Sequence, residues 1–216
     1  MPNITARSLV DALWVTVEMV RAQLEALLQA DWNRDALAVY ADFLLGIGDP
    51  RGELVAAGLQ NPNSERSARV AGLLGADVAA RFKSSATVMG FFDDLRINEV
   101  TGDPGESLRA LAATPMWPYV RGVTLAGPRR FVAAALAALA DHRHPWLRRL
   151  TVMVYGGVRV GRGPLATPAV TADLVDNTPI LHTVQIYGQR VFGAFVHPSV
   201  VKWELFGADA VAFHSK

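Results

Sequence analysis

The stretch that decides the fold is Pro145-Trp146-Leu147-Arg148-Arg149-Leu150-Thr151-Val152, because the same phrase recurs through the second half of the chain. In each copy, large apolar residues stand two, five and seven places after the first residue. The copies begin at Pro118, Pro145, Pro179 and Pro198, and a fainter copy begins at Gly90. Recurrence of one supersecondary unit predicts a repeat architecture.

Each phrase is predicted to form a β-strand. Leu150 and Val152 alternate with polar residues, which is the period of a strand with one buried face. Helix-like stretches at 107–113, 131–140, 170–176 and 191–195 separate the phrases. The phrase starts are 28, 27, 34 and 19 residues apart, which suits a strand-plus-helix repeat with parallel strands.

The core of each phrase matches the Leu-x-x-Leu-x-Leu pattern, so residues 86–207 resemble leucine-rich repeats. The asparagine or cysteine that this family places three positions after the last apolar residue is replaced by Pro128, Tyr155, Gln189 and Ala208. The resemblance implies a short solenoid of irregular repeats with a parallel, curved sheet of about five strands.

The first half of the chain reads as helical. Residues 7–30 have apolar residues at steps of three and four, and a second helix is expected from Asn33 to Gly46. Its predicted buried face comprises Leu37, Tyr40, Ala41, Leu44 and Leu45. A third helix is expected from Asp49-Pro50 to residue 60, with Asp49 as its cap, and a fourth over 64–82.

The segment Tyr40-Ala41-Asp42-Phe43-Leu44, followed by Gly48-Asp49-Pro50-Arg51-Gly52-Glu53, resembles the bacterial repeat-companion domain over residues 30–60. That family pairs a Tyr-Ala-Asp-Trp-Leu helix with Gly-Asp-Pro-Arg-Gly-Glu; Phe43 replaces its tryptophan, and Leu45 stands where a charged residue is usual. The family accompanies leucine-rich repeats, and the resemblance implies no activity. The predicted fold is therefore α/β, with a helical module (1–85) capping leucine-rich-repeat-like units (86–216).

Composition excludes several classes of function. The chain has 216 residues, is 51% hydrophobic, carries a net charge of +1 and has no cysteine. It can therefore bury a sizeable core, and it lacks disulfides, thiolate metal sites and cysteine nucleophiles. Asp11 and Glu18 interrupt any secretion signal, and the longest apolar run, 131–140, is about half the ~18 residues of a membrane span. We therefore expect a cytoplasmic protein without a membrane segment.

Motifs of enzymes are missing from the sequence: there is no P-loop, no Gly-x-Ser-x-Gly and no His-Glu-x-x-His. We therefore predict a non-enzymatic protein with no catalytic residue, cofactor or metal. His142 and His144 could share a metal, but a polar helix end is the favoured interpretation.

Two further polar groups are interpreted as structural. Asp93 and Asp94 are adjacent strand residues that point to opposite faces, so we expect a solvated edge rather than an acid–base pair. The group Asp42, Asp49, Arg51 and Glu53 is interpreted as capping and ion pairing, with a partner-binding cluster as the alternative.

The phrase also predicts a binding surface. If its apolar residues are buried, the intervening residues face the other, concave side of the sheet in rows, with aromatic and sulfur-containing side chains at one end. Aromatic residues, methionine and arginine are enriched in protein interfaces, so another protein is the leading partner. The predicted contact residues are Arg96, Arg149, Thr151, Met153, Gln185, Tyr187, Lys202, Glu204 and Phe206.

Two alternatives remain open. Residues 118–163 hold eight arginines and one acidic residue, and arginines that follow strands would gather on one rim able to bind nucleic acid or another anionic ligand. The rim residues are Arg129, Arg130, Arg159, Arg162 and Arg190. The last strand, 200–206, could instead pair with a second copy of the chain as an uncovered edge. The leading prediction is a non-catalytic protein–protein interaction module.

Overall fold

The computed structural model describes residues 6–60, 72–82, 86–88, 91–155, 165–187 and 197–206. The amino-terminal part contains helices α1 (Ala6–Ala30), α2 (Arg34–Gly46), α3 (Arg51–Gln60) and α4 (Ala76–Arg81). It is followed by β1 (Ala86–Val88), β2 (Phe91–Asn98), α5 (Pro104–Ala112), β3 (Gly122–Gly127), α6 (Arg129–Ala140), β4 (Arg149–Val154), α7 (Pro168–Asn177), β5 (Thr183–Tyr187) and β6 (Lys202–Phe206). Short 3₁₀ turns occur at Glu99–Thr101 and Trp117–Tyr119.

The strands form one sheet in the order of the chain, β1-β2-β3-β4-β5-β6. The short β1 pairs antiparallel with β2, and the neighbouring strands from β2 to β6 pair in parallel. The predicted α/β class and the parallel sheet are confirmed. Every copy of the phrase contains one of these parallel strands. The helix expected at 191–195 lies outside the described residues.

Period-two alternation places one side of the sheet in the core. Leu150 and Val152 are fully buried, as are Leu125 and Val184, whereas Met153 is exposed. On the buried side, α6 packs on β3 and β4, and α5 and α7 pack on α6. The opposite side of the sheet carries the polar residues of the phrase.

Two of the helices that follow the strands begin at a side-chain cap. Asp103 Oδ1 accepts the Glu106 N–H (2.8 Å) at the start of α5, and Thr167 Oγ1 accepts the Val170 N–H (3.3 Å) at the start of α7. A proline follows each of these caps at the first helical position, where no N–H is needed. Helix α6, by contrast, begins after Pro128 without a side-chain cap, so the helix starts differ from one unit to the next.

The helices of the amino-terminal part largely follow the predicted pattern. Asn33 Oδ1 accepts the Ala36 N–H (2.8 Å) and caps α2 as expected. Some residues differ: Leu45 is 43% exposed rather than buried. Leu45 therefore points to solvent from α2. In α1 the helical period places Leu13 and Leu27 on the apolar face, but they are 64% and 62% exposed, and Leu28 is buried instead. Helix α1 contacts the rest of the protein mainly near its carboxyl end.

The fourth predicted helix is interrupted. Residues 72–74 and Ala76–Arg81 are helical, but Gly75 between them adopts φ 77°, a left-handed conformation that favours glycine. The break at Gly75 interrupts the helical period that the apolar residues suggested, and residues 61–71 lie outside the described ranges.

A cluster of aromatic side chains packs between the helical part and the repeats, and both parts share one continuous hydrophobic core. Trp32, between α1 and α2, packs edge-on against Phe91 (4.7 Å) and Trp146 (6.0 Å). The hydroxyl groups of Tyr40 and Tyr119 are hydrogen-bonded (3.0 Å) beside them. The helices therefore pack against residues at the amino ends of β2, β3 and β4. In the parts of the chain that the structure describes, no helix combines the length and apolarity that membrane crossing requires.

Candidate functional site

The side of the sheet opposite the helices is here called the polar face, and it consists of the phrase residues that alternate with the buried ones. Strand pairing sets Arg149 beside Thr183, Thr151 beside Gln185, and Met153 beside Tyr187. Lys202, Glu204 and Phe206 continue these rows on β6. The register is the one that the spacing of the phrase predicts.

The middle of the polar face is a row of side chains bonded to one another. Thr151 Oγ1 donates to Gln185 Oε1 (2.9 Å), and Gln185 Nε2 donates to Glu204. Lys202 Nζ pairs with Glu204 (2.7 Å), and hydrogen bonds from Lys202 and Gln185 lower the pKa of the Glu204 carboxyl. These bonds fix the row and leave it few unused donors.

Asp93 and Asp94 do not form a solvated edge, because β2 is paired on both sides. Asp94 accepts a hydrogen bond from Thr124 Oγ1 (2.6 Å) and pairs with the exposed Arg96 (2.6 Å). Asp93 pairs with Arg149 (3.2 Å) and Arg121 (3.8 Å). The prediction failed because it considered the strand alone and not the arginines that follow later in the chain.

The carboxyl ends of the strands carry apolar side chains on the polar face. Met153 is 38% exposed and Tyr155, directly after β4, is 49% exposed. Tyr187 is half-buried beside Met153, and the side chain of Phe206 lies outside the described residues. This end therefore offers exposed sulfur and aromatic surface, the side-chain types that protein interfaces favour.

The amino ends of the strands line an open polar pocket of about 190 Å³, here called the arginine pocket. Its lining residues occupy the fourth and fifth positions of the phrase in successive copies. They are Asp93, Arg121, Arg148, Arg149, His182 and Thr183.

A backbone ladder aligns the fourth position of successive phrases. The Arg121 carbonyl accepts the N–H groups of Arg148 (2.8 Å) and Arg149 (3.1 Å). The Arg148 carbonyl accepts in the same way from His182 and Thr183 (both 2.9 Å). These forked bonds bring side chains more than twenty residues apart in sequence into one column.

Each arginine of the pocket is held from a different direction. The Arg121 guanidinium lies 3.6 Å from the ring centre of Trp32, a cation–π contact. Arg148 donates to the Gln29 carbonyl in the last turn of α1, where the helix dipole favours a cation. Arg149 reaches across β3 to the carbonyl and carboxylate of Asp93.

Gly122 makes the reach of Arg149 possible. A Cβ atom at this position would lie 1.9 Å from the Asp93 carbonyl oxygen and 3.0 Å from Arg149 Nη2. The absence of a side chain on β3 therefore opens the floor of the pocket between β2 and β4.

Positive charge in the pocket is only partly balanced. Three guanidinium groups face one carboxylate, that of Asp93. Burial, together with the charges of Arg148 and Arg149, lowers the pKa of Arg121 to about 10 even though Asp93 acts to raise it. Arg121 Nε is buried without a hydrogen-bond partner. The pocket is electrostatically suited to an anion.

The predicted sites fall in different places. Arg149 belongs to the pocket, while Arg96, Thr151, Gln185, Lys202 and Glu204 form the bonded rows of the polar face. Of the predicted rim, Arg129 and Arg130 begin α6, beyond the carboxyl end of β3, and Arg159, Arg162 and Arg190 lie outside the described residues. Sequence reasoning missed Arg121 and Arg148; the signal was their shared fourth position in the phrase.

The other polar groups have structural partners. His144 is buried, its Nε2–H donates to the Leu139 carbonyl (2.9 Å), and its ring packs 4.3 Å from Trp117. Asp49 accepts the Arg51 N–H (3.0 Å) and pairs with the Arg51 guanidinium, which lies 5.0 Å from the Tyr119 ring. Although burial opposes it, bonding to Arg51 lowers the pKa of the Asp49 carboxyl. Among the described residues, no three His, Asp or Glu side chains are grouped to hold a metal.

Neither a protein-family model nor a curated protein or solved structure matches the chain.

Proposed function

We propose that the protein is a non-catalytic binding module that holds a partner protein on the polar face of its sheet. In this proposal the second half of the chain is a short solenoid of degenerate leucine-rich-like repeats, and the repeat-companion-like helices cap its amino-terminal end. The observation that carries the proposal is the layout of the polar face. Met153 and Tyr155 lie exposed at one end of this face, and the arginine pocket lies at the other end. Between them lies a row of side chains that are hydrogen-bonded to one another.

The fixed central row favours binding because its side chains lose little freedom when a partner arrives. Immobilising one flexible side chain costs about 0.5–1.5 kcal/mol on association, and the bonds among Thr151, Gln185 and Glu204 already restrict theirs. The apolar end then supplies surface that a partner can desolvate, since methionine and tyrosine are typical interface residues.

A comparison of two variants tests the proposal. The face variant combines Met153→Ala with Tyr155→Ala, and the control variant is Val39→Ala, which removes a side chain that is 56% exposed on α2. In pull-downs with the full chain from its source cells, we expect the face variant to recover a given partner at least about tenfold less well, because loss of an aromatic anchor residue from an interface costs about 2 kcal/mol.

The control should recover that partner like the original protein. Circular dichroism and thermal melting should be alike for all three proteins, because the changed side chains are on the surface. Equal partner recovery by the face variant and the original would rule out the polar face as the binding surface.

A further inference from the structure

We infer that the arginine pocket is a binding site for a phosphoryl group, either free phosphate or a phosphorylated side chain. The site lies at the amino ends of β3, β4 and β5, away from the apolar end of the polar face. Its recognition chemistry is that of an oxyanion held by guanidinium groups from several directions.

The arrangement of the guanidinium groups is fixed before a ligand arrives. Trp32 supports Arg121 from one side, and the carboxyl end of α1 holds Arg148 from another. Arg149 is drawn across Gly122 toward Asp93. Charge-assisted bonds from arginine to phosphate are strong when the donors are fixed in this way, because little freedom is lost on binding.

Donor capacity remains after these contacts. An arginine side chain carries five N–H bonds, and the contacts of Arg148 and Arg149 use only part of them. Arg121 Nε is buried with no acceptor. Thr183 adds a hydroxyl group from β5 on the far side of the pocket, where its Oγ1 is hydrogen-bonded to His182 Nδ1 (3.0 Å) and can donate to a ligand when that nitrogen carries the ring proton. A ligand that presents several acceptor oxygens would use these donors together.

Charge and size favour a phosphoryl group over a carboxylate. Three guanidinium charges against the single Asp93 carboxylate leave two positive charges unbalanced when His182 is neutral. A phosphate ester carries about −1.5 to −2 near neutral pH, which matches that excess, whereas a carboxylate carries only one charge. A cavity of about 190 Å³ holds roughly six water volumes, enough for one phosphoryl group and its water.

The six lining residues include no Phe, Tyr or Trp, so the large rings on which a nucleotide base would stack are missing, and His182 supplies the only aromatic ring among them. The phosphoryl group is therefore either free or at the end of a flexible side chain. A phosphorylated residue would connect the pocket to the proposed function, because it would anchor one end of a protein on the polar face.

Calorimetric titration of the full chain tests the site with two probes. One probe is inorganic phosphate, and the other is a short peptide carrying one phosphoserine, with the unphosphorylated peptide as its blank. We expect binding to one site, with an affinity that falls as sodium chloride is raised. Arg149→Gln and Arg148→Gln should each weaken binding at least about tenfold, because each removes a charged donor.

Thr183→Asp is a second test that leaves the anchoring contacts of the three arginines in place. It adds a carboxylate to the pocket and should weaken binding by a similar factor. Arg130→Gln, which changes an exposed arginine on α6, is the matched control and should bind like the original chain.

The outcomes separate the possibilities. Tighter binding of the phosphopeptide assigns the site to a phosphorylated partner, and equal or tighter binding of phosphate assigns it to the free ion. Absence of binding by both probes, full affinity in both Arg149→Gln and Thr183→Asp, or an equal loss in Arg130→Gln would overturn the inference. The titration uses purified protein alone, so its result stands whether or not the polar face binds a partner.

Discussion

At the scale of single residues, Gly122 is a position that has no room for a side chain. An added Cβ atom would lie 1.9 Å from the Asp93 carbonyl oxygen, a backbone atom that cannot rotate away. We expect Gly122→Ala to lower the free energy of unfolding by about 2 kcal/mol or more, because adjacent parallel strands must separate to admit the methyl group. Urea denaturation measures this loss.

Gly46→Ala is the matched control for Gly122. A Cβ atom at Gly46 meets no heavy atom within 4 Å, and the residue ends α2 without a positive φ. Alanine is favoured over glycine in helices by up to about 1 kcal/mol, so this variant should be as stable as the original or more so. If the two variants had the same stability, the close approach of β2 and β3 at Gly122 would be contradicted.

Residue-level reasoning from the sequence succeeded where alternation decides the direction of a side chain. Arg149, Thr151 and Met153 were expected on the polar face, and strand pairing places them in the predicted rows. Arg121 and Arg148 lie at the entrance to their strands, where period two does not yet fix direction, so their shared fourth position in the phrase indicates a common column but not a pocket. Its formation also depends on Gly122 and Trp32, which no local pattern links to these arginines.

At the scale of elements, the connector between α1 and α2 joins the helical part to the arginine pocket. Trp32 lies in this connector and supports the Arg121 guanidinium. We expect Trp32→Leu to weaken phosphate binding roughly threefold to tenfold, because it removes a cation–π contact that positions the guanidinium. The titration of phosphate described above provides the measurement.

Two companion variants separate positioning from general stability. Trp32→Phe keeps an aromatic ring beneath Arg121 and should restore most of the affinity. Trp117→Leu removes an aromatic side chain that packs on His144 instead, so it should lower stability without changing phosphate affinity. A failure of Trp32→Phe to bind better than Trp32→Leu would assign Trp32 a purely structural role.

The elements also show how far a repeat predicts a fold. The phrase gave strand positions and register because each copy has the same apolar spacing, and equal spacing aligns parallel strands. The fourth helix was predicted without its break because periodicity alone does not detect a left-handed glycine such as Gly75. Leu45 was misplaced because an apolar residue next to a buried face can still point to solvent.

At the scale of the whole molecule, one core spans the helical part and the repeats, and polar groups are enclosed in it. The hydrogen bond between Tyr40 and Tyr119 crosses this junction, and burial raises the pKa of Tyr119 to about 12. His144 and His197 are buried among the repeats, and burial lowers the pKa of both side chains. Because the folded core favours the neutral form of these histidines, acid that protonates them should lower the free energy of unfolding of the protein.

His144 sets the expected acid sensitivity. Burial lowers its pKa from 6.5 to about 4, although the hydrogen bond to the Leu139 carbonyl acts in the opposite direction. Between these pH values the unfolded chain binds a proton that the folded protein does not, so stability decreases as the pH falls from 6.5 toward 4. The full shift corresponds to about 3 kcal/mol. The decrease is measured by urea denaturation across this pH range.

His144→Gln keeps a donor for the Leu139 carbonyl and removes the titration. It should be less stable than the original at neutral pH and should lose less stability on acidification. Val132→Ala creates a cavity in α6 at a fully buried position and should lower stability at every pH while keeping the original slope. If His144→Gln retained the full pH dependence of the original, proton binding by this buried ring would not be the source of the acid sensitivity.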